Sequence, residues 1–245
     1  MQSRSRLLLV GGLTLLVGLV VIFPARIAYQ WIVPSTLKLA SIQGSVWRGS
    51  AGEASVAGVY IRDLRWRVRP ATLLTGRLGY ALEARPSSGF IECNVAVGIT
   101  GTLTASDLTA SLPLQLLRQA TQTPGLAGSL SVQFTELKLD RGIPVAAEGS
   151  LEVANLVLPE VYQYSIGGYR AEFFTQDSGV MSSVEDVAGM VDLAGTLQVA
   201  PDGTYEFLAQ VAAKENTPAN LRERMQYLGS ADERGQRVLG FGGKL

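Results

Sequence analysis

The sequence contains no histidine, and this absence limits the chemistry that the protein can perform. Histidine is the commonest general base and the commonest metal ligand, and it completes Ser-His-Asp and Cys-His catalytic arrangements. The chain also lacks a GxSxG motif, and its terminal Gly242-Gly243-Lys244-Leu245 lacks the Ser or Thr that a phosphate-binding loop requires. The sequence therefore predicts a protein that is not an enzyme and has no catalytic residues, no bound metal and no cofactor.

Cysteine is nearly absent, since Cys93 is the only one among 245 residues. A single cysteine cannot form an intramolecular disulfide, and the paired cysteines of a zinc site are lacking. Cys93 lies in an alternating apolar segment, where we expect a buried small hydrophobic residue rather than a reactive thiol. Packing and hydrogen bonds must therefore hold the fold together.

An excess of charge of either sign is lacking as well, because 21 Lys and Arg balance 21 Asp and Glu. Nucleic-acid binding would favour a strongly basic face, so no nucleic-acid partner is expected, and no small-molecule substrate is expected either. Four carboxylates are close in sequence but lack the spacing of a calcium loop. We interpret them as a solvated loop and strand face: Asp177, Glu185, Asp186 and Asp192.

Long apolar runs are missing except for one near the N-terminus, at residues 7–25. This segment holds 19 residues without a charge, and as a helix it would span about 28 Å, close to the hydrocarbon thickness of a bilayer. Arg4 and Arg6 precede it, so the positive-inside rule places residues 1–6 in the cytoplasm. We predict an uncleaved single-pass anchor over residues 7–25, with most of the chain in the periplasm.

A cleaved signal peptide and a buried core helix are the alternatives to an anchor. Apolar regions of signal peptides usually span about 7–15 residues, and cleavage requires small residues at the first and third positions before the cut. Cutting after Ala25 places Phe23 at the third position before the cut, and cutting after Ala28 places Arg26 there. Neither residue is small. A soluble helix of this length would carry a polar stripe. The anchor is therefore favoured over both.

Residues 26–36 are interpreted as a membrane-proximal flank that ends near Pro34. Tyr29 and Trp31 fit the aromatic belt of a membrane surface, because their rings have an apolar body and a polar tip. Trp31 alternatively packs on the domain below. Residues 37–245 are predicted to form the periplasmic domain.

Beyond residue 37 the apolar residues recur with a period of two, which is typical of half-buried β-strands. Leu64, Trp66 and Val68 share one face of such a strand. The same alternation recurs in residues 78–84, 91–99, 130–135, 151–153 and 204–211. Pro201-Asp202-Gly203 predicts a hairpin turn, since Gly supplies positive φ. The pattern predicts a mainly β protein, with an N-terminal transmembrane helix followed by an antiparallel sheet.

Helical spacing is confined to two or three short segments. Residues 70–76 form a single predicted turn with Pro first and Gly last, and residues 113–119 form a short predicted helix packed on the sheet. A third predicted helix begins with Thr217 as N-cap and ends at Gly229. Its apolar face contains Leu221, Met225 and Leu228.

Arginines occupy the polar face of the strand that contains Trp66. We treat four of them as a candidate interaction patch for an acidic partner or an anionic lipid surface: Arg65, Arg67, Arg69 and Arg77. The alternative is the solvated face of a strand pair, partly neutralised by Asp63 and Glu83.

Four segments in order carry a family resemblance: Phe23-Pro24-Ala25-Arg26 with Trp31; residues 44–51; residues 64–78; and residues 195–205 followed by 221–228. Together they resemble the type II secretion system protein N family. The resemblance covers essentially the whole chain. It implies a non-enzymatic inner-membrane subunit that supports export of folded proteins from the periplasm across the outer membrane. Its partners would be the other inner-membrane platform subunits.

The resemblance also implies an alternative, because this family is considered similar to groove-forming β proteins of the AsmA type. The alternative function is a periplasmic lipid-binding or lipid-transfer groove. A groove predicts a continuous apolar strip that stays uncovered on one face of the sheet. A plain assembly factor predicts a closed apolar core instead.

Overall fold

The computed structural model describes residues 11–12, 18, 22–32, 37–56, 59–86, 88–117, 121 and 123–245. These residues form one antiparallel sheet of 13 strands, and the order of strands in the sheet is their order in the sequence. Each strand therefore pairs with the strands that precede and follow it, as short hairpin connections favour. The prediction of a mainly β, antiparallel fold is confirmed.

The strands are β1 (Leu37–Gly44), β2 (Arg48–Val56), β3 (Val59–Val68), β4 (Arg77–Ala84), β5 (Phe90–Gly98), β6 (Leu103–Pro113), β7 (Ala127–Asp140), β8 (Ile143–Leu158), β9 (Tyr162–Gln176), β10 (Gly179–Asp186), β11 (Val191–Val199), β12 (Thr204–Ala213) and β13 (Arg237–Lys244). The described α-helices are α1 (Ala25–Ile32) and α2 (Ala219–Met225). Short 3-10 helices lie at Pro70–Thr75, Leu114–Leu117 and Gln226–Leu228.

The predicted anchor, residues 7–25, lies largely outside the described residues. Among the residues that the structure does describe, no helix is both long and apolar enough to cross a membrane. Helix α1 begins at the last residue of the predicted anchor and occupies much of the predicted flank. The anchor, the flank and the periplasmic placement of the sheet stay predictions.

The alternation of side chains gives the sheet one apolar face and one polar face. Residues paired across neighbouring strands point to the same side. Trp66 of β3 pairs with Leu82 of β4, which pairs with Cys93 of β5. Further along the sheet, Val132 of β7 pairs with Leu151 of β8 on the same side. The apolar residues of successive strands therefore form one continuous surface.

Four strand residues other than glycine adopt positive φ where the alternation changes phase. Ser41 in β1 (φ 56°) and Asp63 in β3 (φ 50°) both lie opposite Gly52 of β2. Asp107 in β6 and Asn155 in β8 share this conformation, both with φ 52°. Asp and Asn tolerate it because their short polar side chains can bond locally. Such irregularities bend the strands and return the apolar residues to one face.

The best-covered part of the core lies against the second half of the sheet. One cluster buries Leu221 and Met225 of α2 together with Ile166, Val191 and Val211. It includes side chains from β8 to β13, strands that would be about 24 Å apart in a flat sheet. Since α2 has seven residues and is only about 10 Å long, this part of the sheet curls around the helix.

A second cluster joins β7 to strands further along the sheet. Phe134, Val180 and Val199 are its buried members from β7, β10 and β11. The rings of Phe134 and Phe173 lie 5.3 Å apart across the intervening strand β8. Gly149 of β8 leaves room for them, because a Cβ atom there would come within 2.8 Å of the Phe134 ring. The curvature toward the apolar face therefore continues through the middle of the sheet.

All three predicted helical segments contain a helix, and one predicted cap is wrong. The predicted helix at residues 113–119 is a 3-10 helix, Leu114–Leu117, with Leu114 buried against the sheet. Helix α2 begins after Pro218, which stands at the N-cap position and makes no side-chain capping bond. The Thr217 hydroxyl instead donates to the carbonyl of Met190 at 2.6 Å. Thr217 is therefore not an N-cap, because it ties the helix to the loop before β11.

Candidate interaction surfaces

The end of the predicted anchor is attached to the turn between β1 and β2. The amide of Val46 donates to the carbonyl of Phe23 at 3.1 Å, and Pro24 forms an isolated antiparallel bridge with Ser45. Ala25 and Ala28 of the adjoining helix α1 are buried. This junction places the turn at the point where the chain leaves the predicted anchor.

Tyr29 and Trp31, the predicted membrane-interface residues, both lie in α1. The Tyr29 hydroxyl accepts a hydrogen bond from the amide of Leu39 and donates one to the carbonyl of Leu37, each at 3.2 Å. Its ring is half-buried. Tyr29 thus joins α1 to the first strand, a contact that the sequence did not indicate. The membrane-interface role of both residues stays a prediction.

A cavity of about 470 Å³ opens on the polar face of β1 to β4. Its charged and polar side chains are Gln43, Arg48, Ser50, Arg65, Arg67 and Glu83. The strand register explains the cluster, because Arg48 pairs with Arg67 across the hairpin and Arg65 lies between Ser50 and Glu83. Within the described part of the chain, none of the three arginines forms an ion pair. We call this site the arginine cavity.

The structure divides the four predicted patch residues into two groups. Arg65 and Arg67 line the arginine cavity, whereas Arg69 and Arg77 do not. The 3-10 helix at Pro70–Thr75 lies between β3 and β4, and its Thr72 side chain covers Gly79 on the polar face. Arg77 therefore lies beyond this turn from the cavity.

Arg48 belongs to the cavity, but the sequence pattern did not single it out. Its position depends on the β2–β3 register, which places it opposite Arg67. The expected neutralisation of the arginines by Glu83 is also not found, because Glu83 pairs in register with Arg65 without an ion pair. The charge of the cavity is therefore left uncompensated by ion pairs among the described residues.

The apolar face of β1 to β5 is less covered than that of the later strands. Among the residues of these strands whose burial the structure describes, the buried hydrophobic ones are all alanines: Ala51, Ala54 and Ala84. The larger apolar side chains are half-buried or exposed, and Leu78 and Val97 retain 41% and 42% of their accessible surface. Cys93 is half-buried on this face rather than fully buried as expected, and burial raises the pKa of its thiol.

Asp186 differs from the solvated carboxylate that its sequence context predicts. Its side chain is only 9% exposed, forms an ion pair with Lys214 and accepts a hydrogen bond from the amide of Leu193 at 3.1 Å. Burial alone would raise the pKa of Asp186, but the hydrogen bonds from Lys214 and Leu193 hold it below its usual value. Burial, and then the charge of Asp186, raise the pKa of Tyr169 to about 12. The ion pair ties the segment before α2 to the end of β10.

Comparison with known proteins places the chain in a family. The family model described as "Type II secretion system (T2SS), protein N" matches residues 35–240. This range contains β1 to β12 and the beginning of β13. The chain belongs to the type II secretion system protein N family. The resemblance found in the sequence is thereby confirmed, and the chain is a component of type II protein secretion.

Three relatives named type II secretion system protein N align with nearly the whole chain. The Vibrio cholerae protein is 27% identical over 240 residues, which are 94% of each chain. The Pectobacterium carotovorum protein is 23% identical over 91% of this chain and 90% of its own length, and the Aeromonas hydrophila protein is 22% identical over 86% of each. No solved structure gives a significant match. The uneven coverage of the apolar face and the arginine cavity are thus features of a protein N family member.

Proposed function

We propose that this protein N family member is a single-pass inner-membrane subunit of the secretion machine. It supports the export of folded proteins from the periplasm across the outer membrane through contacts with other platform subunits. The family match over residues 35–240 is the observation that carries the proposal. The uncharged segment at residues 7–25, which follows Arg4 and Arg6, supports the membrane location.

The junction between α1 and the sheet supports a tethering role. The Phe23 carbonyl and the Tyr29 hydroxyl both bond to the backbone at the start of the sheet. A sheet attached this directly cannot move far from the membrane that holds its anchor. It would present its surfaces to neighbouring subunits close to that membrane. The role is non-enzymatic, because the sequence lacks histidine and recognisable catalytic motifs.

Deletion of the gene in its own host tests the secretion role. We expect secreted enzymes to accumulate in the periplasm and to return to the medium when the full-length gene is restored. Co-purification of platform subunits with the full chain tests the protein contacts. Normal export of every cargo protein after deletion would contradict the proposal. A reporter fused after Pro34 separately tests the topology, since a cytoplasmic reporter would refute the predicted anchor.

Lipid binding by the apolar face is a second candidate function, favoured by the incomplete coverage of β1 to β5. Val95 lies on this face, paired with Tyr80, whereas its neighbour Ala96 lies on the opposite face and pairs with Gly79. A photo-crosslinking amino acid at position 95 of the full chain in membranes should give a phospholipid adduct. The same amino acid at position 96 is the matched control. Equal adducts at both positions would contradict a lipid-binding groove.

A further inference from the structure

We propose that the arginine cavity binds the phosphate group of an anionic phospholipid at the membrane surface. The site uses the guanidinium groups of Arg48, Arg65 and Arg67, which line one cavity on the polar face. The proposal rests on the proposed membrane anchor, and it adds a ligand class and a specific site to that function.

The chemistry of the cavity favours a phosphate ligand. Arginine presents a planar fork of donors that matches a phosphate in two parallel hydrogen bonds. The three arginines and Glu83 are the charged groups that line the cavity. The cavity therefore carries a net charge of two positive units, from three arginines and one carboxylate. Its volume of about 470 Å³ lies within the range of about 300–1,000 Å³ that is typical of small-ligand sites.

The pairing of like charges also favours an anionic ligand. Arg48 and Arg67 are direct partners across the β2–β3 hairpin. Like charges that face each other on neighbouring strands destabilise the sheet. Within the described residues, neither side chain has an acidic ion-pair partner that would relieve this repulsion. A bound phosphate would neutralise both guanidinium groups at once.

The location of the cavity indicates a membrane lipid as the source of the phosphate. Arg48 ends the turn that begins at Ser45, and the Ser45 amide donates to the Arg48 carbonyl at 2.9 Å. The same turn bonds to Phe23 and Pro24, at the end of the predicted anchor. The cavity therefore begins where the chain would emerge from the membrane, at the level of the lipid headgroups.

The framework around the cavity is held in place by close contacts. The indole N–H of Trp66 donates to the carbonyl of Ser45 at 3.1 Å, which fastens β3 to the turn. Gly49 lies directly under that indole, because a Cβ atom there would come within 2.4 Å of the ring. These contacts of Trp66, the residue between Arg65 and Arg67, thus fix the backbone positions of the three arginines.

Calorimetric titration of the full chain in an uncharged detergent tests the site. The probes are dioctanoyl phosphatidylglycerol, dioctanoyl phosphatidylcholine and inorganic phosphate. The cavity variant is R48Q/R65Q/R67Q, and the matched control is R62Q/R69Q/R77Q, which removes the same charge from neighbouring positions outside the cavity. We expect phosphatidylglycerol to bind the cavity variant about tenfold more weakly than wild type, and the control variant within about twofold of wild type.

Each of the other outcomes decides the proposal. If phosphatidylglycerol binding is weakened equally in both variants, only the net charge matters. That result would overturn the proposal that the arginine cavity is a specific binding site. Phosphatidylcholine or inorganic phosphate that binds as tightly as phosphatidylglycerol would overturn the assignment to an anionic lipid. If the cavity variant does not fold, the single variant R67Q is tested instead. We expect it to bind phosphatidylglycerol several-fold more weakly than wild type, and unchanged affinity would overturn the proposal. The topology reporter does not depend on lipid binding, so failure of this site is distinguishable from failure of the anchor.

Discussion

Replacement of Asp186 by Asn tests how the segment that carries α2 is fastened to the sheet. The carboxylate is 9% exposed and pairs with Lys214, whose side chain is 36% exposed. Asparagine retains a carbonyl that can accept from the Leu193 amide but leaves the ammonium group without its counter-charge. A hydrogen bond to a charged group contributes about 1.5–3 kcal/mol. Because water reaches Lys214 and compensates part of this loss, we expect a decrease of about 1–2 kcal/mol in the free energy of unfolding.

Urea unfolding of the full chain in detergent, followed by tryptophan fluorescence, measures this loss. Asp177→Asn is the matched control, because it makes the same chemical change in an exposed turn between β9 and β10. Lys214→Met should destabilise the protein at least as much as Asp186→Asn, since it leaves a buried carboxylate unpaired. If Asp186→Asn costs no more than the control, the ion pair does not fasten the segment.

The pH dependence gives an independent check of the same ion pair. The pKa of Asp186 is lower in the folded protein than its usual value of 3.8, because Lys214 and the Leu193 amide outweigh the effect of burial. A depressed pKa means that the carboxylate contributes stability above about pH 4 and loses it as the pH falls through the folded value. The difference in stability between wild type and D186N should therefore be full at neutral pH and disappear in acid. A difference that persists unchanged at low pH would contradict the assignment.

Three further predictions concern residues of β3, β4 and β5. Gly79→Ala should cost about 1–3 kcal/mol of stability, because its Cβ would lie 2.6 Å from the Thr72 hydroxyl, and combining it with Thr72→Ala should recover part of that loss in a double-mutant cycle. Asp63→Val should lower the thermal midpoint whereas Asp63→Gly should not, since φ is 50° there and a β-branched residue in this conformation costs about 1–2 kcal/mol. Cys93 should react with iodoacetamide more slowly in the folded chain than in urea at pH 8, because burial raises its pKa and reduces the thiolate fraction; equal rates would contradict its half-buried position.

The strands and their faces could be predicted from the sequence, because a period of two is a local property. Leu64, Trp66 and Val68 indicate both the strand and its apolar side, and the structure places all three on β3. The phase changes at Ser41 and Asp63 are harder to foresee. Each occurs opposite Gly52 of the strand between them, so the signal lies in the alignment of three strands rather than in any one segment.

The sites were less predictable than the strands, because they depend on register and on distant partners. Arg65 and Arg67 were recognisable as neighbours two residues apart on one strand. Arg48 joins them only because the β2–β3 register pairs it with Arg67. Asp186 resembled a solvated carboxylate in its local sequence, since its partner Lys214 lies 28 residues further along the chain. The local sequence pattern therefore identifies strands and helices. Which side chains come into contact depends on how those elements pair in the fold.

The two candidate lipid sites lie on opposite faces of the same sheet and must act independently. Arg65 and Arg67 point to the polar face of β3, and Trp66 between them points to the apolar face. Because a sheet separates its two faces completely, one lipid cannot place its phosphate in the arginine cavity and its acyl chains against the apolar side of the same strands. The R48Q/R65Q/R67Q variant should therefore leave photo-crosslinking at position 95 unchanged while it weakens phosphatidylglycerol binding. Loss of both signals would mean that the two faces do not form separate sites, and an anionic lipid held at the edge of the sheet near the Ser45 turn would then explain the data better.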